Sequence, residues 1–421
     1  MVLFSLKMKN PKILFIAPSS YPIYGAEANV NAKMLKLLTD SGCVIDLISR
    51  APRKTFDFYL PSQHDFFFSK IRSIHSVGVN TTKDFKTVVR HLRTWVRTGY
   101  VYKGCDWAIE AIKLCETMIA RTHYDFIYTY DYPAELVGLY LTKKYNIKWV
   151  QVWNDPYIWQ RFPVPYGQGP RFKISRLREK MIADMGKNMY RAVFPSDRLQ
   201  NYMLQYITNL TAERCVVSPH LCLDQLVRKN EKPTEDTLRI IHSGALGRER
   251  DPKTLLQGLK LFLQARPDAR IEFAFLGIFE RAKGDYFNNL IQEFRLEPYI
   301  KLLGRSEYIK SLEIVQKYDL CLLIEAACEE GIFFPSKVID YMQNNKPILA
   351  LSPSVGVIND MYRKQEIDYF ADVTNPQQIA DTLDQIYSDF EGSKVGLQDK
   401  NIDLYGNKEV ASIHFRQIFN V

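Results

Sequence analysis

The sequence has little that would staple a fold, gather a metal or span a bilayer. Its seven cysteines, at positions 43, 105, 115, 215, 222, 321 and 328, form no C-x-x-C pair, and none stands at zinc spacing from a histidine. That excludes a zinc module, and the odd count argues against a disulfide framework. Several lie in apolar runs and read as small buried thiols of a reducing cytoplasm. No run approaches the ~20 apolar residues of a membrane helix. The start, MVLFSLKMKNPKILFIAP, is broken by Lys7, Lys9 and Lys12 and lacks a small-residue cleavage site. It reads as a leader into a buried strand rather than a signal peptide. Short-period repeats and low-complexity tracts are missing. So are helix-turn-helix, zinc and RNA-binding motifs, and no nucleic-acid partner is expected.

What is present is an ordinary globular composition. Of 421 residues, 46% are hydrophobic and 24% charged, and the length exceeds the ~250 residues of a single core. The formal charge of +9 conceals an asymmetry. Residues 1–230 carry a net +15 and residues 231–421 a net −6. The basic excess clusters in 51–100 and 161–200, which points to halves with different partners.

Short apolar runs alternate with helical periodicity along the whole chain. Lys12–Ala17 is a continuous apolar strand of the parallel, doubly buried kind. A turn with Pro18, Pro22 and Gly25 follows, then Val30, Met34, Leu37 and Leu38 at helical spacing, and Val44–Ile48 as a second strand. This is the βαβ opening of a doubly wound sheet. Further strands fall at Asp125–Tyr130, Lys148–Trp153 and Ala192–Phe194. The polar stretch 226–237 interrupts the pattern, which restarts with strands at Leu238–His242, Ile271–Leu276, Lys301–Leu303, Leu320–Ile324 and Pro347–Leu351. The chain therefore reads as two α/β domains in tandem, 1–230 and 231–400, with a C-terminal helix of about 400–421 packing back on the first. Residues 51–120 read as helices with loops.

Open parallel sheets bind ligands beyond the carboxyl ends of their strands. In the first domain Gly25 lets a ligand approach the amides of a helix start. In the second, Ser243–Pro252 combines Gly244, Gly247, Arg248 and Arg250 ahead of a helix. Backbone donors, a helix N-terminus and fork-shaped cations are what a diphosphate requires. Gly277 and Gly304 end two further strands and would let a base and ribose lie against backbone. Glu329–Tyr341 supplies Gly331 for an exposed turn, Pro335 and Ser336 for a helix start, and Asp340 one turn in. That carboxylate would accept from ribose hydroxyls, or else pair with Lys337 at i,i+3.

The segments KILFIAPSSYPIYGAE, IIHSGALGRERDPKTLL, KLLGRSEYIKSL and PSKVIDYMQNNKPILA, in this order and spacing, make the chain resemble the GT-B-fold glycosyltransferases of the retaining family 4 type. The resemblance implies two Rossmann-like domains facing each other across a cleft. A nucleotide-diphosphate sugar would be held by the second, and a saccharide or lipid-linked acceptor by the first. Transfer would proceed with retention and without cofactor or metal, in polysaccharide or glycoconjugate biosynthesis. No two aspartates stand two residues apart, so the metal-binding D-x-D of the other common glycosyltransferase fold is missing. By motif position Gly244 and Arg250 meet the diphosphate, with Arg250 where the family has lysine. Gly304, Arg305 and Ser306 lie by the base, Asp340 by the ribose, and Arg248, Gly331, Ser336 and Lys337 nearby. The family's partner glutamate is replaced by Ile332, with Glu330 the nearest carboxylate. Asp155, after a first-domain strand, would orient a sugar hydroxyl or cap its turn; His220 reads first as structural. Arg250, Asp155 and Glu330 are the catalytic candidates.

The basic first domain has two readings, a solvated surface or a cytoplasmic face docking on anionic lipid through Phe66, Phe67, Phe68, Trp95 and Trp107. Two functional alternatives stand beside the transferase: a non-catalytic nucleotide-sugar-binding relative and a sugar-nucleotide epimerase of the same fold.

Overall fold

The computed structural model describes residues 10–51, 64–78, 85–130, 132–228, 236–247, 249–279, 281–395 and 402–420. They divide into two compact units. The first comprises Met1–Tyr157, Pro170–Leu221 and Asn407–Val421, the second Ile158–Gly169 and Cys222–Gly406.

The first unit holds a parallel sheet of β1 (Lys12–Ile16), β2 (Val44–Arg50), β3 (Ser73–Val77), β4 (Phe126–Tyr130), β5 (Lys148–Val152), β6 (Arg191–Phe194) and β7 (Cys215–Val217). Its order is β3-β2-β1-β4-β5-β6-β7. Helices α1 (Ala26–Asp40), α2 (His64–Phe68), α3 (Phe85–Thr98), α4 (Cys105–Ile119), α5 (Ala134–Tyr145), α6 (Arg176–Asn188) and α7 (Asp197–Leu204) connect the strands. The second unit repeats the plan with β8 (Leu238–Ser243), β9 (Ile271–Leu276), β10 (Ile300–Gly304), β11 (Leu320–Ile324), β12 (Ile348–Ser352) and β13 (Tyr369–Asp372), in the order β10-β9-β8-β11-β12-β13. Its helices are α8 (Lys253–Ala265), α9 (Arg281–Phe294), α10 (Tyr308–Gln316), α11 (Ser336–Gln343), α12 (Val357–Arg363) and α13 (Pro376–Glu391). The chain ends in α14 (Asn407–Ile413), continued by a wider turn over His414–Phe419.

The central strands read Ile-Leu-Phe-Ile or Leu-Cys-Leu-Leu-Ile and are buried on both faces, as crossover helices on each side of a parallel sheet require. Both orders reverse beside the first strand, between β1 and β4 and between β8 and β11. A crevice opens at such a reversal, where adjacent loops leave in opposite directions.

Several sequence expectations need correction. Residues 51–120 also contain β3, an edge strand of sequence SIHSV whose part-exposed residues give no apolar run. Ile158–Gly169 joins the second unit, because Phe162 and Tyr166 pack on Phe333 with ring centroids 5.9 and 5.1 Å away. The last segment splits, Ile402–Tyr405 staying with the second unit while Asn407–Val421 joins the first, where Phe419 packs on Phe126. Phe67, Phe68 and Trp107 are core residues, not docking rings, and the Trp107 indole donates to the Val77 carbonyl. Phe66 is half-buried against Phe67. Trp95 is half-exposed.

The basic clusters are likewise partly internal. Arg161 is buried, Arg72 is paired with Asp46, and Arg178 lies 3.8 Å over the Tyr102 ring.

Candidate active site

The reversal point of the second sheet gathers the ionisable groups of that unit. His242, near the end of β8, is fully buried, and its Nδ1 lies 3.0 Å from the Leu322 carbonyl on β11. A carbonyl only accepts, so Nδ1 carries the proton and Nε2 is a bare acceptor. Lys337 Nζ donates to that Nε2 at 3.2 Å and to the Ala245 carbonyl at 3.3 Å. Burial, with Lys337 and Arg250 nearby, holds the imidazole well below its ordinary pKa, so it stays neutral.

Lys337 is the second residue of α11, whose N-terminus has no side-chain cap. The helix is tied to both central strands through Tyr341, which accepts from the Ser243 amide and donates to the Leu322 carbonyl, both at 3.0 Å. Arg250, from the loop after β8, brings Nη2 to 3.7 Å from Glu325 Oε1 just beyond β11. Glu325 is buried and its Oε1 makes no hydrogen bond. Burial pushes this carboxyl up, against the pull of Arg250 and Lys337. Burial and the Arg250 charge push the Lys337 ammonium down to about 7. Two cations and one carboxylate thus converge beside an uncapped helix start, an arrangement that favours an incoming anion.

The glycines serve packing rather than donation. The Gly244 amide donates to Leu276 at 2.6 Å, that of Gly277 to Gly304 at 2.7 Å, and that of Gly331 to Val355 at 2.8 Å. None of these three amides is open to a ligand, so the backbone donors expected of the loop after β8 do not include that of Gly244. Gly244 has φ +129°, and a Cβ there would lie 2.2 Å from Lys337 Cε. Its lack of a side chain is what lets the lysine pass beneath the loop. A Cβ on Gly277 would lie 2.3 Å from the Gly244 carbonyl. Gly304 has φ +72° and open space beside it.

Asp340 Oδ1 accepts from the Tyr308 hydroxyl at 2.6 Å, and Gln343 Nε2 donates to that hydroxyl at 3.2 Å. Lys337 turns instead to His242 and Ala245. Ser336 opens α11 as its first helical residue. Ser306, after β10, has a buried hydroxyl without a hydrogen bond, and the adjacent Arg305 is exposed. Glu330 is half-buried in the loop after β11, and Ile332 is fully buried. Position 332 therefore faces the core. Arg248 lies outside the described residues.

Gly25 and Asp155 belong to the first unit. Gly25 precedes α1 in extended backbone with open space at its Cβ position. Asp155 is exposed in the bend after β5. That bend is anchored by buried Trp153 and by Tyr157, whose hydroxyl donates at 2.8 Å to fully buried Glu135. His220 is buried in the same unit, beside a small cavity that Asn154 and His414 also line. Among the described residues no cluster of His, Cys, Asp and Glu could hold a metal ion, and no helix is long and apolar enough to cross a membrane.

Sequence reading missed His242, Glu325 and Tyr308. Glu325 had one signal, a carboxylate directly after an all-apolar strand. The others depend on tertiary neighbours.

Solved structures share this fold over nearly the whole chain. HepE of Anabaena, solved with UDP-glucose, matches with TM-score 0.66 and 13% identity, covering 97% of this chain and 98% of its own. A glycosyltransferase of Rickettsia africae matches with TM-score 0.63 and 15% identity over 98% and 94%. The sucrose-phosphate synthase of Thermosynechococcus elongatus matches with 0.64 and 13% over 96% and 94%. No curated protein matches the chain by sequence. The architecture is GT-B, with two doubly wound parallel sheets in one chain. Within that class, residues 224–395 match the family model described as Glycosyl transferases group 1. The matched range contains the whole Arg250, Glu325, Lys337 and Asp340 constellation.

Proposed function

We propose that the protein moves a sugar from a nucleotide-diphosphate donor, bound at the second unit, to a saccharide or lipid-linked acceptor. The observation that carries this is the convergence of Arg250, Lys337 and the α11 start at the sheet reversal of a glycosyl transferases group 1 domain. Cations and a helix N-terminus stabilise the departing diphosphate as charge builds on it. That is the main demand of a retaining transfer needing neither metal nor cofactor. Arg250 contributes a fork and Lys337 a point charge. Asp340, pre-oriented by Tyr308, is placed to accept from a ribose hydroxyl. Asp155 and Glu330 remain the candidates for orienting the acceptor and the transferred sugar. A basic first half and lipid-linked acceptors together favour a cytoplasmic enzyme working peripherally at the inner face of a membrane.

Thermal-shift titration tests donor binding. UDP and UDP-sugars come first, because HepE is solved with UDP-glucose, and other nucleotide sugars follow. One nucleotide sugar is expected to raise the melting temperature. Arg250→Ala is expected to weaken its binding by about 10–100-fold, as for a lost charge-assisted hydrogen bond. A panel without any shift would sink the donor assignment. A shift without transfer to any acceptor would favour a binding relative, and conversion of the free sugar nucleotide an epimerase. Tyr308→Phe, which deprives Asp340 of a neutral hydrogen bond, is expected to raise the donor KM by roughly 2–10-fold with kcat little changed. An unchanged KM would remove Asp340 from the ribose site.

A further inference from the structure

Helix α3 is built inside out. Phe85, Val88, Leu92, Trp95 and Val96 recur at spacings of three and four and so form one face. They are 80%, 63%, 57%, 50% and 73% exposed. Among its described side chains, α3 buries Thr94 completely and Val89 partly. Arg97 donates to Tyr140 on α5 at 3.1 Å and pairs with Glu116 on α4. A surface helix ordinarily turns its apolar face to the core. Here the apolar face of Phe85, Val88, Leu92, Trp95 and Val96 points to solvent, while Arg97 ties the helix to α4 and α5.

The helix itself carries charge of one sign. From Phe85 to Cys105 the sequence holds Lys86, Arg90, Arg93, Arg97 and Lys103 and no carboxylate. Two such faces packed on each other would bring cations together, which disfavours a second copy as the occupant. An anionic bilayer surface satisfies both demands. Headgroup phosphates meet the arginines while the rings and aliphatic side chains enter the acyl boundary. The helix is about 21 Å long, enough to lie in the interface and too short to span it.

We infer that α3 is an interfacial helix that docks the first unit on anionic phospholipid, lying parallel to the membrane with Phe85, Leu92, Trp95 and Val96 inserted. This rests on the reading of a lipid-linked acceptor at a membrane, and it replaces the rings of 66–68 and 107 with a different set of contacts.

The test is co-sedimentation of the full chain with vesicles of phosphatidylcholine alone, or mixed with phosphatidylglycerol, at low and high salt. Binding is expected with phosphatidylglycerol, weakening as salt screens the arginines. The double variant Leu92→Glu/Val96→Glu is expected to bind at least about tenfold more weakly, because each change places a carboxylate in the inserted face. Trp95→Phe is expected to abolish the blue shift of tryptophan fluorescence on binding. Both variants change exposed side chains, and an unaltered thermal shift with the donor shows that they remain folded. Absence of vesicle binding, equal binding by the double variant, or self-association of the wild type that the double variant abolishes would each overturn the inference. Donor binding is read separately, so failure here is distinguishable from failure of the transferase reading.

Discussion

Lys337→Met is expected to lower kcat for sugar transfer by roughly 10²–10³-fold, the cost of removing one preorganised group that stabilises transition-state charge. Methionine keeps an unbranched stem of similar length, so it can follow the path beneath Gly244. What disappears is the ammonium, held by His242 Nε2 and the Ala245 carbonyl. Neither partner neutralises it, since the imidazole is neutral and the carbonyl is a dipole. The carboxylates that act on it are Glu325, which Arg250 also approaches, and Asp340. The lysine charge is therefore poorly compensated until an anion arrives, and it costs no reorganisation when it meets one. Melting temperature is expected to stay level or rise, because a partly buried charge has been removed without breaking an ion pair. The check is steady-state kinetics beside a melting curve. A kcat within about threefold of wild type would remove Lys337 from the group that stabilises the leaving diphosphate.

The sequence carried most of the architecture because parallel strands buried on both faces leave unbroken apolar runs. The apolar runs in KILFI and LCLLI are of this kind and coincide with β1 and β11. The strands that sequence reading missed lie at the edges. β3 is part-exposed, β7 has three residues, and β13 alternates buried and half-buried positions. At the site, Arg250 and Lys337 were visible because cations stand out next to glycine turns and helix starts. His242 was not. It ends an apolar strand, and its role comes from Leu322 and Lys337 on other elements. Gly244 was visible as a position and misread as a donor. A one-dimensional pattern shows where backbone must bend, but not whether an amide already has an acceptor. Phe67, Phe68 and Trp107 were misplaced for a related reason, since composition places rings in a segment without saying which way they face. The inside-out face of α3 required side-chain exposure, because the same five apolar residues would also describe an ordinary packed helix.

Donor affinity is expected to fall as pH rises above about 7 and to be nearly flat below it. Without ligand the Lys337 ammonium is held down to about 7 by burial and by Arg250. A bound diphosphate favours the charged form, so the lysine pKa in the complex is higher than in the free site. Below the free-site value the lysine is protonated in both states and pH has no effect through this group. Above it, binding requires uptake of a proton, and affinity drops by up to about tenfold per pH unit until the pKa of the complex is reached. His242 does not interfere, because it is neutral throughout this window. Titration with the nucleotide sugar rather than the free diphosphate avoids a terminal phosphate that ionises in the same range. Calorimetry in buffers of different ionisation enthalpy reads the proton uptake directly. In Lys337→Met, affinity is expected to be weak and independent of pH across the window. In Lys337→Arg it is expected to be independent of pH as well, because a guanidinium stays charged. A wild-type affinity constant between about pH 6 and 9 would assign the charge at the diphosphate to Arg250 alone, and a slope that survives in Lys337→Met would assign the pH dependence to a titrating group other than Lys337.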